Sequence, residues 1–176
     1  MLVIEISKKQ LLQIIDNLSQ PGYQENIDFF FAKPIGLWVY LYYKENRLSR
    51  IGFISDPQTR RDRITQETTE KLVSYFRGDI PEFTIDEILF HYPDFTKKVL
   101  LETMKIPYGT TLSYSALAMR IGKPKCVRAV ANAEGKNKTP IVIPCHRVIG
   151  KNDLGGYGPG IDIKKRLLDF EGKNMG

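Results

Sequence analysis

Cys145-His146-Arg147 is the stretch of the chain best equipped for chemistry. A thiol attacks an electrophilic carbon only as the thiolate, and a histidine or arginine beside it lowers its pKa. The segment before it, Pro140-Ile141-Val142-Ile143-Pro144, is an apolar, β-rich run bracketed by prolines. Proline fixes φ and lacks an N–H, so both prolines should end regular pairing and leave Cys145 in a turn where a buried segment stops. An isolated cysteine reads equally well as a small buried hydrophobe. Its surroundings weaken that reading. Downstream, Leu154-Gly155-Gly156-Tyr157-Gly158-Pro159-Gly160 holds four glycines in seven residues, a loop that offers backbone N–H groups at close approach. No Lys-Ser/Thr follows it, so it is not a nucleotide phosphate loop.

The elements that position these residues can be read from pattern. Asp94 is placed to cap a helix over Phe95–Met104, with Phe95, Val99, Leu100, Thr103 and Met104 sharing its inward face. Ser113 caps a second helix through Arg120, and Ile121-Gly122-Lys123 breaks it. Pro124 suits the first turn of a third helix, from Lys125 to about Glu134. Two short helices joined by a glycine-containing turn form a helix-turn-helix pattern. The second of them offers only Arg128 and Asn132 as base-reading side chains, among small residues. That suits binding by shape, or insertion of one residue into a base stack, better than sequence reading in the major groove. Ile161–Glu171 closes the chain as a helix with Ile163, Leu167, Leu168 and Phe170 facing inward.

Residues 1–90 read as a scaffold with its linker. A strand is expected at Leu2–Ile6 and a helix from Ser7 to Asn17. Strands at Ile27–Lys33, Gly36–Tyr43 and Arg47–Ser55 then make a small antiparallel sheet, in which Trp38, Tyr40, Tyr42 and Tyr43 are sheet-face residues. Arg60-Arg61-Asp62-Arg63 is a solvated run, Thr68–Phe76 a helix ending before Gly78, and Asp79–Tyr92 a linker with a short strand at Ile85–Phe90 and an incidental His91. The fold class is therefore α+β: an N-terminal antiparallel sheet with helices over residues 1–90, and a mostly helical domain with the helix-turn-helix and the cysteine over 91–176.

Charge separates the two halves. The net charge of +6 divides into −2 over residues 1–90 and +8 over 91–176, an asymmetry that points to a polyanion-facing second half and that solubility alone would equally explain. Two cysteines make no disulfide framework and fit a reducing, cytoplasmic setting. The N-terminus lacks a signal-peptide pattern, and no apolar run is long enough for a membrane span. With no cysteine in residues 1–90, a structural metal is not expected.

Together, Pro144-Cys145-His146-Arg147-Val148, Arg128-Ala129-Val130 and Gly156-Tyr157-Gly158-x-Gly160 resemble the O6-alkylguanine-DNA alkyltransferase family of direct-reversal repair proteins, over about residues 94–172. The resemblance implies a cofactor-free, single-turnover methyltransferase, a monomer bound to the minor groove of duplex DNA containing O6-alkylguanine. It would flip the damaged nucleotide out and move the alkyl group irreversibly onto Cys145. Under it, His146 draws off the thiol proton through a water, Glu171 orients and charges that histidine, and Asn137 braces the active-site turn. Tyr114 would donate to the leaving guanine and crowd the phosphate. Arg128 would fill the vacated stack, with Lys125, Ala129 and Ala131 beside it on the DNA face. Val148, Gly156, Tyr157, Gly158 and Gly160 would form the base pocket, and Arg147 would serve structure between the helices.

Asn132 and Glu134 depart from the family pattern, Glu134 setting a negative charge close to the expected DNA surface, and Lys138-Thr139 replaces a proline-containing turn. Three other readings compete. A damage-binding protein without transfer would lack the nucleophilic cysteine, and a helix-turn-helix regulator needs more base-reading side chains. A cysteine hydrolase needs a histidine distant in sequence and an oxyanion hole.

Overall fold

The computed structural model describes residues 27–44, 47–55, 64–83 and 92–174. The expectations for residues 2–6, 7–17, 60–63 and 85–90, and for His91, lie outside these. Apolar alternation builds the first layer. In β1 (Ile27–Ala32), Asp28, Phe30 and Ala32 point inward; in β2 (Leu37–Lys44), Leu37, Val39, Leu41 and Tyr43 do. A 3-10 turn at Lys33–Ile35, closed by Gly36 at φ 65°, joins them. β2 pairs antiparallel with both β1 and β3 (Arg47–Ile54), in the order β1-β2-β3, with Phe30 opposite Val39 and Leu41 opposite Ile51. All three strands expected from the sequence are present, each shorter or shifted at its ends by a residue. Trp38, Tyr40 and Tyr42 lie on the outer face, and Tyr43 is buried.

Helix α1 (Glu67–Tyr75) lies over the inner face, packing Leu72 and Tyr75 with Phe76 against Phe30, whose ring centroid is 5.9 Å from that of Phe76. Its start is fixed from outside the helix. Buried Asp28 accepts from Thr65 N (2.9 Å), Gln66 N (3.0 Å), Thr65 Oγ1 (2.6 Å) and Thr69 Oγ1 (2.6 Å). The strand carboxylate thus satisfies donors that a helix N-terminus leaves open and sits at its positive end.

The second half is mostly helical. α2 (Asp94–Met104) starts one residue earlier than expected: Pro93 holds the cap position without a side-chain bond, and Asp94 supplies first-turn charge instead. A two-residue strand β4 (Leu112–Ser113) pairs in parallel with β5 (Val148–Ile149). Ser113 caps α3 (Tyr114–Arg120), its Oγ accepting from Ala116 N at 3.1 Å. α4 spans Val127–Glu134 rather than starting at Lys125. Pro124 instead occupies a turn closed by Cys126 N donating to Lys123 O (2.9 Å), a position its fixed φ favours. Val99, Ile106, Leu117, Ala118, Ile121, Val130, Ala133 and Val148 form the core between α2, α3 and α4. α5 (Ile161–Lys173) closes the fold and buries Lys164, Leu167 and Glu171.

Direct bonds join the halves. Ile51 N donates to Lys138 O (2.9 Å) and Arg166 Nη1 to Ile35 O (2.8 Å). Among the described residues no helix is long and apolar enough to cross a membrane, and no group of three or more His, Cys, Asp or Glu could hold a metal ion.

Asp28→Ala leaves the start of α1 without its acceptor. Urea denaturation should show a loss of about 2 kcal/mol or more, the range for hydrogen bonds to a charged group, and Asp28→Asn a smaller one.

Candidate active site

The run ahead of Cys145 is a buried turn rather than a strand. Residues 140–148 are all buried, an isolated bridge joins Pro140 to Ile143, and Ile141 lies at φ 75°. A β-branched residue in the left-handed region is strained and persists only where its surroundings over-determine it. They do so here. Ile143 N donates to Thr139 O (3.0 Å), Cys145 N to Ile143 O (2.8 Å) and Asn137 Nδ2 to Ile143 O (2.8 Å). Asn137 Oδ1 in turn accepts from Thr139 N (3.0 Å). Pro144, which has no N–H, ends this turn and opens a 3-10 turn, Cys145–Arg147.

Asn137 Nδ2 also donates to Cys145 Sγ, at 2.9 Å. That bond favours thiolate, and the Lys164 charge does too. They do not prevail. Burial, followed by the charge of Glu134, pushes the thiol up to about 12. The expectation that the flanking His and Arg lower the thiol pKa is therefore corrected. His146 is fully buried with its pKa lowered by that burial, and the guanidinium of Arg147 is turned onto a carboxylate. Cys145 rests as a thiol and needs a base.

That carboxylate is Glu171. Its Oε1 accepts from Tyr75 OH (2.7 Å) and Arg147 Nη2 (2.8 Å) and lies 2.8 Å from His146 Nε2. Its Oε2 accepts from Gly109 N (3.0 Å) and Arg147 Nε (3.0 Å). Arg147 Nη1 extends to Ile106 O (2.8 Å). Burial alone would raise the Glu171 pKa, but its bonds to His146 and Arg147 win and hold it well below the usual carboxylate range. An ionised carboxylate only accepts, so His146 Nε2 carries the proton and Nδ1 keeps its lone pair. Nδ1 is buried and has no protein partner. Unshared, that lone pair is free to accept a proton.

The glycine loop comes down over this turn. Tyr114 OH donates to Gly156 O (3.2 Å), and a Cβ on Gly155, at φ 66°, would sit 2.6 Å from the Tyr114 ring. Only glycine allows that approach. Tyr157 stands edge-on to His146, with ring centroids 6.4 Å apart, and its hydroxyl is buried without a partner. Val148 is buried, while Gly156 and Gly158 are exposed and Gly160 half-buried at the start of α5. On the other side, Arg128, Ala129, Asn132 and Lys125 are exposed and Ala131 half-exposed, a cationic face with small side chains. Glu134 is not on that face. It is buried and turned inward, with Oε1 2.5 Å from Thr103 Oγ1, which corrects the expectation of a charge near the DNA surface.

Sequence reasoning missed Lys164. It is fully buried, and its Nζ donates to Val148 O (2.6 Å) and Gly156 O (3.2 Å), tying β5 to the loop. The available signal was its spacing of three before Leu167 and seven before Glu171, which puts it on the inward side of α5. Tyr75 was likewise assigned only to a helix. Nothing local in sequence indicates that its hydroxyl reaches a carboxylate across the molecule.

Both His146 and Glu171 have folded-state pKa values below their unfolded ones, so the folded protein binds fewer protons than the unfolded chain. Their stability contributions are full above about pH 6.5 and about pH 4.3 respectively, and are lost as pH falls through each window. Unfolding free energy should drop on acidification, first from His146. Glu171→Gln leaves Arg147 buried without its countercharge and should lose about 3–5 kcal/mol at neutral pH with a flatter acid limb, read by denaturation at several pH values.

Residues 94–173 match the family described as 6-O-methylguanine DNA methyltransferase, DNA binding domain. The methylated-DNA–protein-cysteine methyltransferase of Methanosarcina acetivorans is 36% identical over 151 residues, covering 81% of this chain and 96% of that protein. A counterpart from Mycolicibacterium paratuberculosis is 42% identical over 124 residues, covering 70% and 72%. Among solved structures, Mycobacterium tuberculosis OGT in complex with DNA aligns with a TM-score of 0.68 at 32% identity, covering 84% of this chain and 93% of that one. The family match takes in the cysteine turn, both helices of the helix-turn-helix and the closing helix, and the chain belongs to the methylated-DNA–protein-cysteine methyltransferase family.

Proposed function

We propose that this protein repairs duplex DNA by moving the alkyl group of O6-alkylguanine onto Cys145, once per molecule and irreversibly. The observation that carries the reading is the state of the base: His146, next in sequence to a thiol that burial holds protonated, donates to Glu171 through Nε2 and keeps a bare Nδ1. In the transfer, the thiol proton passes to His146, through a bridging water, as Sγ bonds to the alkyl carbon and the bond from that carbon to guanine O6 breaks. The electron pair leaves on the purine, where a proton restores guanine. Asn137 steadies the developing thiolate through its bond to Sγ. Burial pushes the Tyr114 hydroxyl up to about 12, so it stays protonated and serves as a donor to the departing base.

The exposed cationic face around Arg128, set among Ala129 and Ala131, supports minor-groove binding, and the protein is read as acting there as a monomer. Small side chains let α4 approach the backbone, and one arginine replaces the base that rotates out. Val148, Gly156, Tyr157, Gly158 and Gly160 surround the space into which that base turns. The thioether formed on Cys145 has no leaving group activated by this site, which makes the transfer terminal.

After incubation with a duplex carrying one O6-methylguanine, peptide mass spectrometry should find a single added methyl on the peptide containing Cys145, saturating at one per protein. Cys145→Ala should bind the duplex and gain nothing. Binding by the native protein without mass gain would replace this reading with damage binding alone. Arg128→Ala should slow transfer from duplex by about tenfold or more, the size of a lost stacking contact, and leave transfer from the free base nearly unchanged; equal slowing on both would remove its role in flipping.

A further inference from the structure

Glu134 ends α4 inside the protein, where nothing in the alkyl-transfer reading gives it a task. Its immediate neighbour is the Thr103 hydroxyl of α2, which has one proton and two oxygen neighbours. The Val99 carbonyl lies at 2.9 Å and Glu134 Oε1 at 2.5 Å. A carbonyl only accepts, and a helical threonine habitually gives its proton to the carbonyl four residues back. The proton in the shorter contact then comes from Glu134. The other carboxyl oxygen, Oε2, is buried with no hydrogen-bond partner. A carboxylate oxygen stripped of water and partners is costly to keep, whereas the neutral acid tolerates that surrounding far better.

We propose that Glu134 is a positioning residue for the transfer: it is held as the neutral carboxylic acid in the core beside the nucleophile, and loss of its proton sets a negative charge against Cys145 and slows attack. This rests on the alkyl-transfer reading for its consequence, but not for the chemistry of the thiol itself. Asn137 joins Glu134 to the thiol, donating through its backbone N to Glu134 O (3.0 Å) and through Nδ2 to Cys145 Sγ (2.9 Å). The groups that share its electrostatic surroundings come from several elements. Tyr114 of α3 and Cys145 are the titratable ones, each made harder to ionise by its charge. Lys164 of α5 is the opposing cation, and it spends its short bonds on the carbonyls of Val148 and Gly156. From α2 it meets uncharged Thr103; on that helix Glu102 pairs with Lys105 and Lys98 is exposed. Asp153 acts on Tyr114 and Lys164, and Arg128, on the same helix as Glu134, is exposed. Burial raises the Glu134 carboxyl to about 7; once it ionises, Thr103 turns its proton to Oε1 and the Lys164 charge favours the anion, so the change of charge stays within the working range. Ordinary thiols react faster as pH rises. Here that gain is opposed.

Glu134→Gln keeps the shape and a donor toward Thr103 and removes the titration. Single-turnover transfer from an O6-methylguanine duplex should be followed for both proteins from about pH 5.5 to about pH 9, two units either side of neutrality to cover the transition. The ratio of variant to native rate should rise about three- to tenfold across the range, the effect of a shift of up to one unit in the thiol pKa. A ratio that stays constant overturns the proposal. In parallel, iodoacetamide labelling of the Cys145 peptide, read by mass spectrometry without DNA, should diverge between the two proteins in the same direction. Divergent labelling with no transfer at any pH would sink the alkyl-transfer reading and uphold the action of Glu134 on the thiol. Parallel labelling profiles would overturn that action whatever the DNA experiment gives.

Discussion

The structure depends on keeping one carboxylate ionised in a place where water cannot reach it. Glu171 has no exposed surface, and an isolated charge there would cost several kcal/mol. What makes it tolerable is the number and kind of its donors: a bidentate guanidinium, an imidazole, a phenol and a backbone amide. They come from three separate parts of the chain. Arg147 and His146 come from the cysteine turn, Gly109 from the loop after α2, and Tyr75 from the helix that covers the sheet. The carboxylate therefore organises the fold and fixes the tautomer of the histidine with the same bonds, and neither can be altered without the other.

A second tension is resolved at Cys145. Nucleophilicity calls for thiolate, and burial forbids it at rest. Asn137 and Lys164 pull toward ionisation while desolvation pushes away, reinforced by Glu134 when that carboxyl is ionised, and desolvation prevails. The thiol is thus inert until a substrate occupies the pocket and a base withdraws its proton. An exposed, pre-ionised cysteine would react with any electrophile that diffused by, so suppression of the resting nucleophile gives selectivity to a residue that can be spent only once.

What the sequence disclosed follows the range of the interactions involved. Strand alternation in residues 27–54, the Ser113 cap and the glycine break at Gly122 are local patterns, and each appears where expected. The cysteine turn announced itself through its prolines, although the strained Ile141 made a turn of what composition presented as β. The residues that escaped notice are those whose meaning is tertiary. Lys164 looks like any helical lysine until Val148 and Gly156 supply carbonyls for it. Glu134 looks like a surface charge on a DNA-reading helix until α2 closes over it. Tyr75 is ninety-six positions from its acceptor. Lys125 and Pro124 show the remaining error, in which a favourable first-turn proline was claimed by a turn before the helix began.

Tyr75 carries an implication for the whole molecule. Its ring is held edge-on by Phe76, Tyr108 and Phe170, at centroid distances of 5.0, 5.7 and 5.6 Å, so the direction of its hydroxyl is set by aromatic packing that spans both halves. The sheet-bearing half is thereby an inspector of the reactive half. A molecule in which the sheet has not yet formed, or has loosened, presents Glu171 with one donor fewer and loses some of its hold on the histidine. Readiness to react is in this way reserved for chains that have finished folding.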